Sequence, residues 1–232
     1  MKKDSFEAYI YLKPLILAFE KAANEKEAKG MKAYMLNQFE FYGIKTPQRD
    51  ALVKSFLKIY RIQQYNELEK VVKYMWSQKE REWQYAAIDL LASHITLWKA
   101  SSIKLIQYCL INKSWWDTVD GIGSDWLTKY FTLYPEQILP VTKHWNVSKN
   151  IWLQRSSILF QRSYKKKTNT QLLSDYILQH QSSKEFFIQK AIGWALREYS
   201  KTNPEWVLAF IAENKIAPLS KREAIRRIML NK

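Results

Sequence analysis

The sequence predicts an all-α chain wound as a solenoid, a superhelix of about six helix pairs around a concave basic groove, with residues 1–232 forming a single repeat domain. Three observations carry this expectation. Only five glycines and six prolines interrupt 232 residues, so helix breakers are scarce. Apolar residues recur mostly at three- and four-residue spacing, while alternating strand-like runs and hairpin signals are missing. A small or compact residue followed by an apolar one also returns at a near-constant interval, at Ala51-Leu52, Ala87-Ile88, Gly121-Ile122, Ser157-Ile158, Ala191-Ile192 and Ala224-Ile225. The apolar members lie 36, 34, 36, 34 and 33 residues apart, which leaves room for two helices per unit. Stacked HEAT-like pairs bury their faces against neighbours, and a small residue at a fixed place lets helices approach closely.

The N-terminal stretch MKKDSFEAYIYLKPLILAF has two lysines and many apolar residues. Asp4, Glu7, Lys13 and Pro14 interrupt it too often for a signal-peptide core. In EWQYAAIDLLASHI, the residues Trp83, Ala86, Ala87, Leu90 and Leu91 share one helical face. In IQKAIGWALREYS, Ile188, Ile192, Ala195, Leu196 and Tyr199 do the same. Breaks are expected at YPEQ from Tyr134, TNPE from Thr202 and APLSKRE from Ala217. At the last of these a proline sits near a helix start, and Ser220 with Glu223 makes a capping box.

Thirty-seven Lys and Arg against twenty-two Asp and Glu leave a net charge of +15, which points to a polyanionic partner such as nucleic acid or an anionic membrane surface. A lone Cys109 excludes an internal disulfide framework and any four-thiolate cluster, and fits a reducing compartment. His94, His144 and His180 lack metal-ligand spacing, so neither a metal nor another cofactor is expected. No apolar run is long enough to span a bilayer. The expected location is the cytoplasm, and a solenoid that grips a duplex is expected to act as a monomer.

The repeat register also sorts the polar residues. Three positions before the apolar marker stand Arg49, Tyr85, Val119, Arg155, Gln189 and Arg222; two positions before it stand Asp50, Ala86, Asp120, Ser156, Lys190 and Glu223. Equivalent positions of successive repeats line one wall, so Arg49, Arg155 and Arg222 could form a phosphate-spaced stripe, with Lys190 a further candidate contact and Asp120 projecting from the same wall. In NIWLQRSS, Trp152 and Arg155 are three apart and share a helical face. Gly193 in KAIGWALREY costs about 1 kcal/mol relative to alanine inside a helix, and so asks for a packing or ligand-access reason. The densest cluster is SWWDTVDGIGSDW, from Ser114. Trp115 and Trp116 point about 100° apart on a helix, so one goes to the core and the other to the groove. Ser114 or Asp117 reads as a helix cap, which leaves Asp120 for chemistry.

KSWWDTVD, NIWLQRSSILFQ, SSKEFFIQKAIGWALREYSKTNP and LSKREAIRRI together resemble the AlkD-type DNA alkylpurine glycosylases, bacterial repair proteins built from HEAT-like repeats. NQFEFYGIKTPQRD, from Asn37, resembles that family's N-terminal signature. The resemblance runs from about Tyr34 to Ile228. Asp50 departs from the pattern, which carries a second basic residue after Arg49. The resemblance implies an enzyme that releases N3- or N7-alkylated purines from double-stranded DNA and leaves an abasic site; no motif singles out a lysine for lyase chemistry, so a monofunctional hydrolase that prefers cationic lesions is expected. It places Asp120 at the catalytic position, Trp116 and Trp194 against the lesion nucleotide, and Arg155 where it supports that nucleotide and its phosphates. The residue types suit this independently, because a fixed carboxylate stabilises an oxocarbenium-like sugar and aromatic faces attract a cation. A non-catalytic protein that binds damaged or branched DNA, or a protein-interaction scaffold, would use the same fold and charge.

Overall fold

The computed structural model describes residues 6–230; Asp4, one of the interruptions in the N-terminal apolar stretch, lies outside them. Among the described residues there is no strand, and extended pairing is limited to an isolated bridge between Glu40 and Glu80. The chain gathers into two compact units that divide between Leu105 and Ile106.

The first unit holds α1 (Ala8–Ala22), α2 (Glu25–Tyr34), α3 (Thr46–Ile59), α4 (Tyr65–Ser77) and α5 (Arg81–Ser93), and α6 (Ser102–Ile111) begins at its end. Helix α1 continues through Pro14. Leu12, Leu15 and Phe19 of α1, Leu68, Val71, Val72 and Met75 of α4, and Ala86, Ala87 and Leu90 of α5 are fully buried. Each large apolar side chain among them stabilises the fold by roughly 1.5–3 kcal/mol. Glu82 is buried on α5 and accepts from the N–H groups of Tyr42, Gly43 and Ile44, at 2.9–3.1 Å. That satisfies the charge and pins the turn before α3. Gly43 has φ +85°, and a Cβ there would lie 2.1 Å from the Asn24 carbonyl oxygen, so the turn admits no side chain.

The second unit runs from the remainder of α6 through α7 (Trp116–Ile122), a π-helical turn at Gly123–Leu127, α8 (Thr128–Leu133), α9 (Ile138–Asn146), α10 (Ile151–Leu159), α11 (Thr170–Gln179), α12 (Phe186–Tyr199), α13 (Pro204–Glu213) and α14 (Pro218–Leu230). Its core clusters Ile158 and Leu159 of α10, Leu173 and Ile177 of α11, Ile188, Ile192 and Leu196 of α12, Val207, Phe210 and Ile211 of α13, and Ala224 of α14. Asn150, Asn169 and Asn203 cap α10, α11 and α13 through their side chains.

The six sequence markers fall on α3, α5, α7, α10, α12 and α14, alternate helices except between α7 and α10, where α8 and α9 both intervene. The expected capping box at Ser220 is not formed. Helix α14 already begins at Pro218, and the Ser220 hydroxyl donates instead to the Gln189 carbonyl at 2.9 Å, tying α14 to α12. The expected cap at Ser114 or Asp117 is also displaced. Trp115 is the N-cap residue of α7, without a side-chain bond, while the Ser114 hydroxyl donates to the Leu110 carbonyl at the end of α6. Asp117 lies in the first turn of α7, where a carboxylate complements the helix dipole.

Candidate functional site

Within the second unit, four helices line a cleft of about 330 Å³. Helix α7 supplies Trp116 and Asp120, which are four residues apart and therefore on one face. Helix α10 supplies Arg155. Helix α12 supplies Phe187, Lys190, Trp194 and Arg197 at helical spacing, with Phe186 beside them, and α14 closes the lining with Glu223. The opposite face of α12, from Ile188 to Leu196, is sunk in the core.

Arg155 explains how the carboxylate is held. Helix α10 is buried almost all round from Trp152 to Leu159, so an arginine within it must find partners inside the protein. Its Nε donates to Asp120 Oδ1 and its Nη2 to Oδ2, both at 2.8 Å, and its Nη1 donates to the Phe187 carbonyl at 2.7 Å. The pair is bidentate, with the arginine side chain 4% and the aspartate side chain 15% exposed. Each carboxylate oxygen has a second lone pair beyond the one the guanidinium engages. Behind the pair, Trp115 and Trp152 pack on Phe187 with ring centroids 5.2 and 4.9 Å from it. Of the two adjacent tryptophans, Trp115 therefore packs on these rings and Trp116 lines the cleft.

Two guanidinium groups approach the Trp194 ring, Arg162 at 3.9 Å and Arg155 at 6.0 Å from its centroid. Burial pushes the Arg162 guanidinium below its ordinary value, and the charges of Asp120 and Glu198 oppose that shift; Arg155 adds to it. An arginine stays charged regardless. Across the cleft, Glu223 accepts from Lys190 at 3.0 Å and from Arg197 at 2.7 Å. Burial works to raise its pKa, but these two cations overcome burial and hold it below the usual carboxylate range. Gly193 sets this geometry, because a Cβ there would meet Glu223 Cβ at 2.5 Å and the Ser220 carbonyl oxygen at 2.9 Å. Its presence has a packing reason: α12 and α14 touch at this point.

The structure thus brings Trp116, Asp120, Arg155, Lys190 and Trp194 to one cleft. It does not give the three register arginines a common environment. Arg155 is buried on an acid, whereas Arg222 is exposed on α14 and outside the cleft lining. Arg49 belongs to the first unit, where it lies over the Tyr85 ring at 4.8 Å and donates to Asp50 at 2.9 Å. The sequence reading did not single out Phe187, Arg162, Arg197 or the cleft role of Glu223. A signal existed: Asp120 and Arg155 are 35 residues apart and Lys190 and Glu223 are 33 apart, one repeat length in each case. Among the described residues, no group of three or more His, Cys, Asp or Glu side chains is placed to hold a metal ion, and no helix is long and apolar enough to cross a membrane.

A family model described as DNA alkylation repair enzyme matches residues 15–228. Among solved structures, the chain is similar to one described as "Predicted DNA alkylation repair enzyme from Enterococcus faecalis". The two share 35% sequence identity and a TM-score of 0.83, over 88% of this chain and 95% of that one. Comparison with curated proteins gives no match.

Proposed function

The chain belongs to the DNA alkylation repair enzyme family, which gives it a role in the repair of alkylated DNA, and from that premise we propose that it is a monofunctional glycosylase. Its substrates are cationic N3- and N7-alkylated purines in double-stranded DNA. The observation that carries this reading is the Asp120 carboxylate, gripped by Arg155 in a cleft that Trp116 and Trp194 also line.

Alkylation at N3 or N7 leaves the purine positively charged. When the C1′–N bond breaks, its electron pair passes to the purine, which departs neutral, and the positive charge moves to the sugar as an oxocarbenium ion. Asp120 is fixed by two hydrogen bonds before the reaction, so it stabilises that charge without reorganising. Its remaining lone pairs orient a water, which attacks C1′ and passes its proton to the surrounding solvent. The sugar is left with a hydroxyl, an abasic site. Trp116 and Trp194 offer faces to the cationic nucleotide, each worth roughly 0.5–2 kcal/mol. Arg155 acts through Asp120 in this scheme, since its fork faces the carboxylate and a carbonyl. Metal ions and amine nucleophiles have no step in it.

The test is release of 7-methylguanine and 3-methyladenine from alkylated duplex DNA by the wild type and Asp120→Asn. Loss of one preorganised electrostatic group costs about 3 kcal/mol of transition-state stabilisation, on the order of 100-fold in rate. Equal release by the two proteins removes Asp120 from the mechanism. Tight binding of alkylated duplex without release by either identifies a non-catalytic binder.

A further inference from the structure

We infer that a second anion site, for the phosphodiesters of a DNA strand, lies beside the cleft on α12 and α14 and is formed by Arg197, Lys201, Arg226 and Arg227. The inference rests on the DNA-repair reading above. These four cations and Glu198 line a separate concavity of about 300 Å³. Its charge is far from balanced. Glu198 is occupied by Lys201, at 2.5 Å, and Arg197 directs its Nη1 to Glu223. Arg226 and Arg227 are exposed, and neither has an acidic partner among the described residues. Two adjacent arginines in a depression that already holds two cations repel one another, and such a surface draws in anions. The pull of a helix C-terminus accounts for a cation in the last turn of α14, such as Arg227. It does not account for Arg226, nor for the concavity shared with α12.

Arg197 lines both the cleft and this second depression. A strand that enters the cleft therefore passes Arg197 on its way to the exposed Arg226 and Arg227. The chemistry favours a polyanion over a free phosphate ion. The two unpaired guanidinium groups are solvent-exposed, so a small ion competes with water for them, whereas a nucleic acid strand gains from the release of its condensed counterions at each contact.

The experiment measures binding of an undamaged duplex by the full chain across a range of KCl concentrations, for the wild type, Arg226→Gln/Arg227→Gln and a control, Lys143→Gln/Lys149→Gln. The control removes the same charge from exposed positions on and after α9. Loss of two phosphate contacts is expected to make the slope of log K against log[salt] shallower by about 1.8, from about 0.9 per contact. The control is expected to keep the wild-type slope. An unchanged slope in the arginine variant, or the same loss in the control, overturns the site. A parallel arm adds inorganic phosphate at constant ionic strength. Strong competition by phosphate in the wild type, absent from the arginine variant and without a slope difference, identifies a free-anion pocket and also overturns the proposal. No base release is read, so a failed glycosylase assay and a failed anion site give different results.

Discussion

Arg155 directs three of its five N–H donors at Asp120 and the Phe187 carbonyl, so its substitution is felt first at the carboxylate. Arg155→Lys keeps the charge but not the planar fork, and Arg155→Met leaves a mostly buried carboxylate alone. Removing one partner of a buried pair costs about 3–5 kcal/mol. The partial exposure of Asp120 puts Arg155→Met at the low end of that range by urea unfolding, and Arg155→Lys below it. Both variants are expected to release alkylpurines more slowly than the wild type even where folded. Arg162 lies over the Trp194 ring at 3.9 Å. A double-mutant cycle of Arg162→Met with Trp194→Phe is expected to show a coupling of about 0.5–2 kcal/mol in base release; strict additivity would mean that the 3.9 Å stack has no part in positioning the ring. These pairings were hard to read from the sequence because partners lie a whole repeat apart. Local spacing brings together Trp116 and Asp120, but only the period of the repeat sets Asp120 beside Arg155. Once the period is known, opposite charges 33–36 residues apart become candidates, as Lys190 with Glu223 shows.

Helix α12 carries two faces that the sequence states with unequal clarity. The core face, with Ile188, Ile192, Ala195 and Leu196, was legible from the spacing of apolar residues. The cleft face mixes Phe187, Lys190, Trp194 and Arg197, and no hydropathy pattern marks such a mixture. Gly193 was legible as an anomaly but not as a contact, since its reason lies on α14. Gly193→Ala tests that contact. Alanine raises intrinsic helix stability by about 1 kcal/mol, yet its Cβ would press on Glu223 and the Ser220 carbonyl. Overpacking of this kind costs about 1–3 kcal/mol, so a net loss of stability in urea is expected. A stabilised variant would show that α14 yields easily. The capping box at Ser220 misled for a related reason: a serine near a helix start was read locally, whereas its hydroxyl serves the neighbouring helix.

At the scale of the whole molecule, each compact unit carries one histidine whose ring burial pushes below the usual imidazole value, His94 in the first and His180 in the second. A backbone hydrogen bond opposes the shift in both. His94 Nε2 accepts from the Ile62 N–H at 3.2 Å, while Nδ1 sits 2.9 Å from the Leu90 carbonyl, which assigns the proton to Nδ1. A second proton on Nε2 would remove that acceptor. The folded chain therefore resists protonation that the unfolded chain accepts near pH 6.5, so this stability is present above that pH and is lost as pH falls below it. Thermal unfolding is expected to give a steady Tm from about pH 8 to 7 and a falling one from about pH 6.5 to 5; a flat profile would remove both histidines from the account. The helical class and the repeat period were legible because they are periodic properties of the chain. The division at Leu105 was not, since no glycine or proline run marks it. Cys109, the single thiol of the chain, is fully buried on α6. A protein that takes an alkyl group from DNA onto its own sulfur is consumed in doing so, and this chain presents no sulfhydryl to receive one. Repair here is expected to run to many events per molecule, and an assay with lesions in large excess over protein should pass one equivalent of released base without slowing at that point.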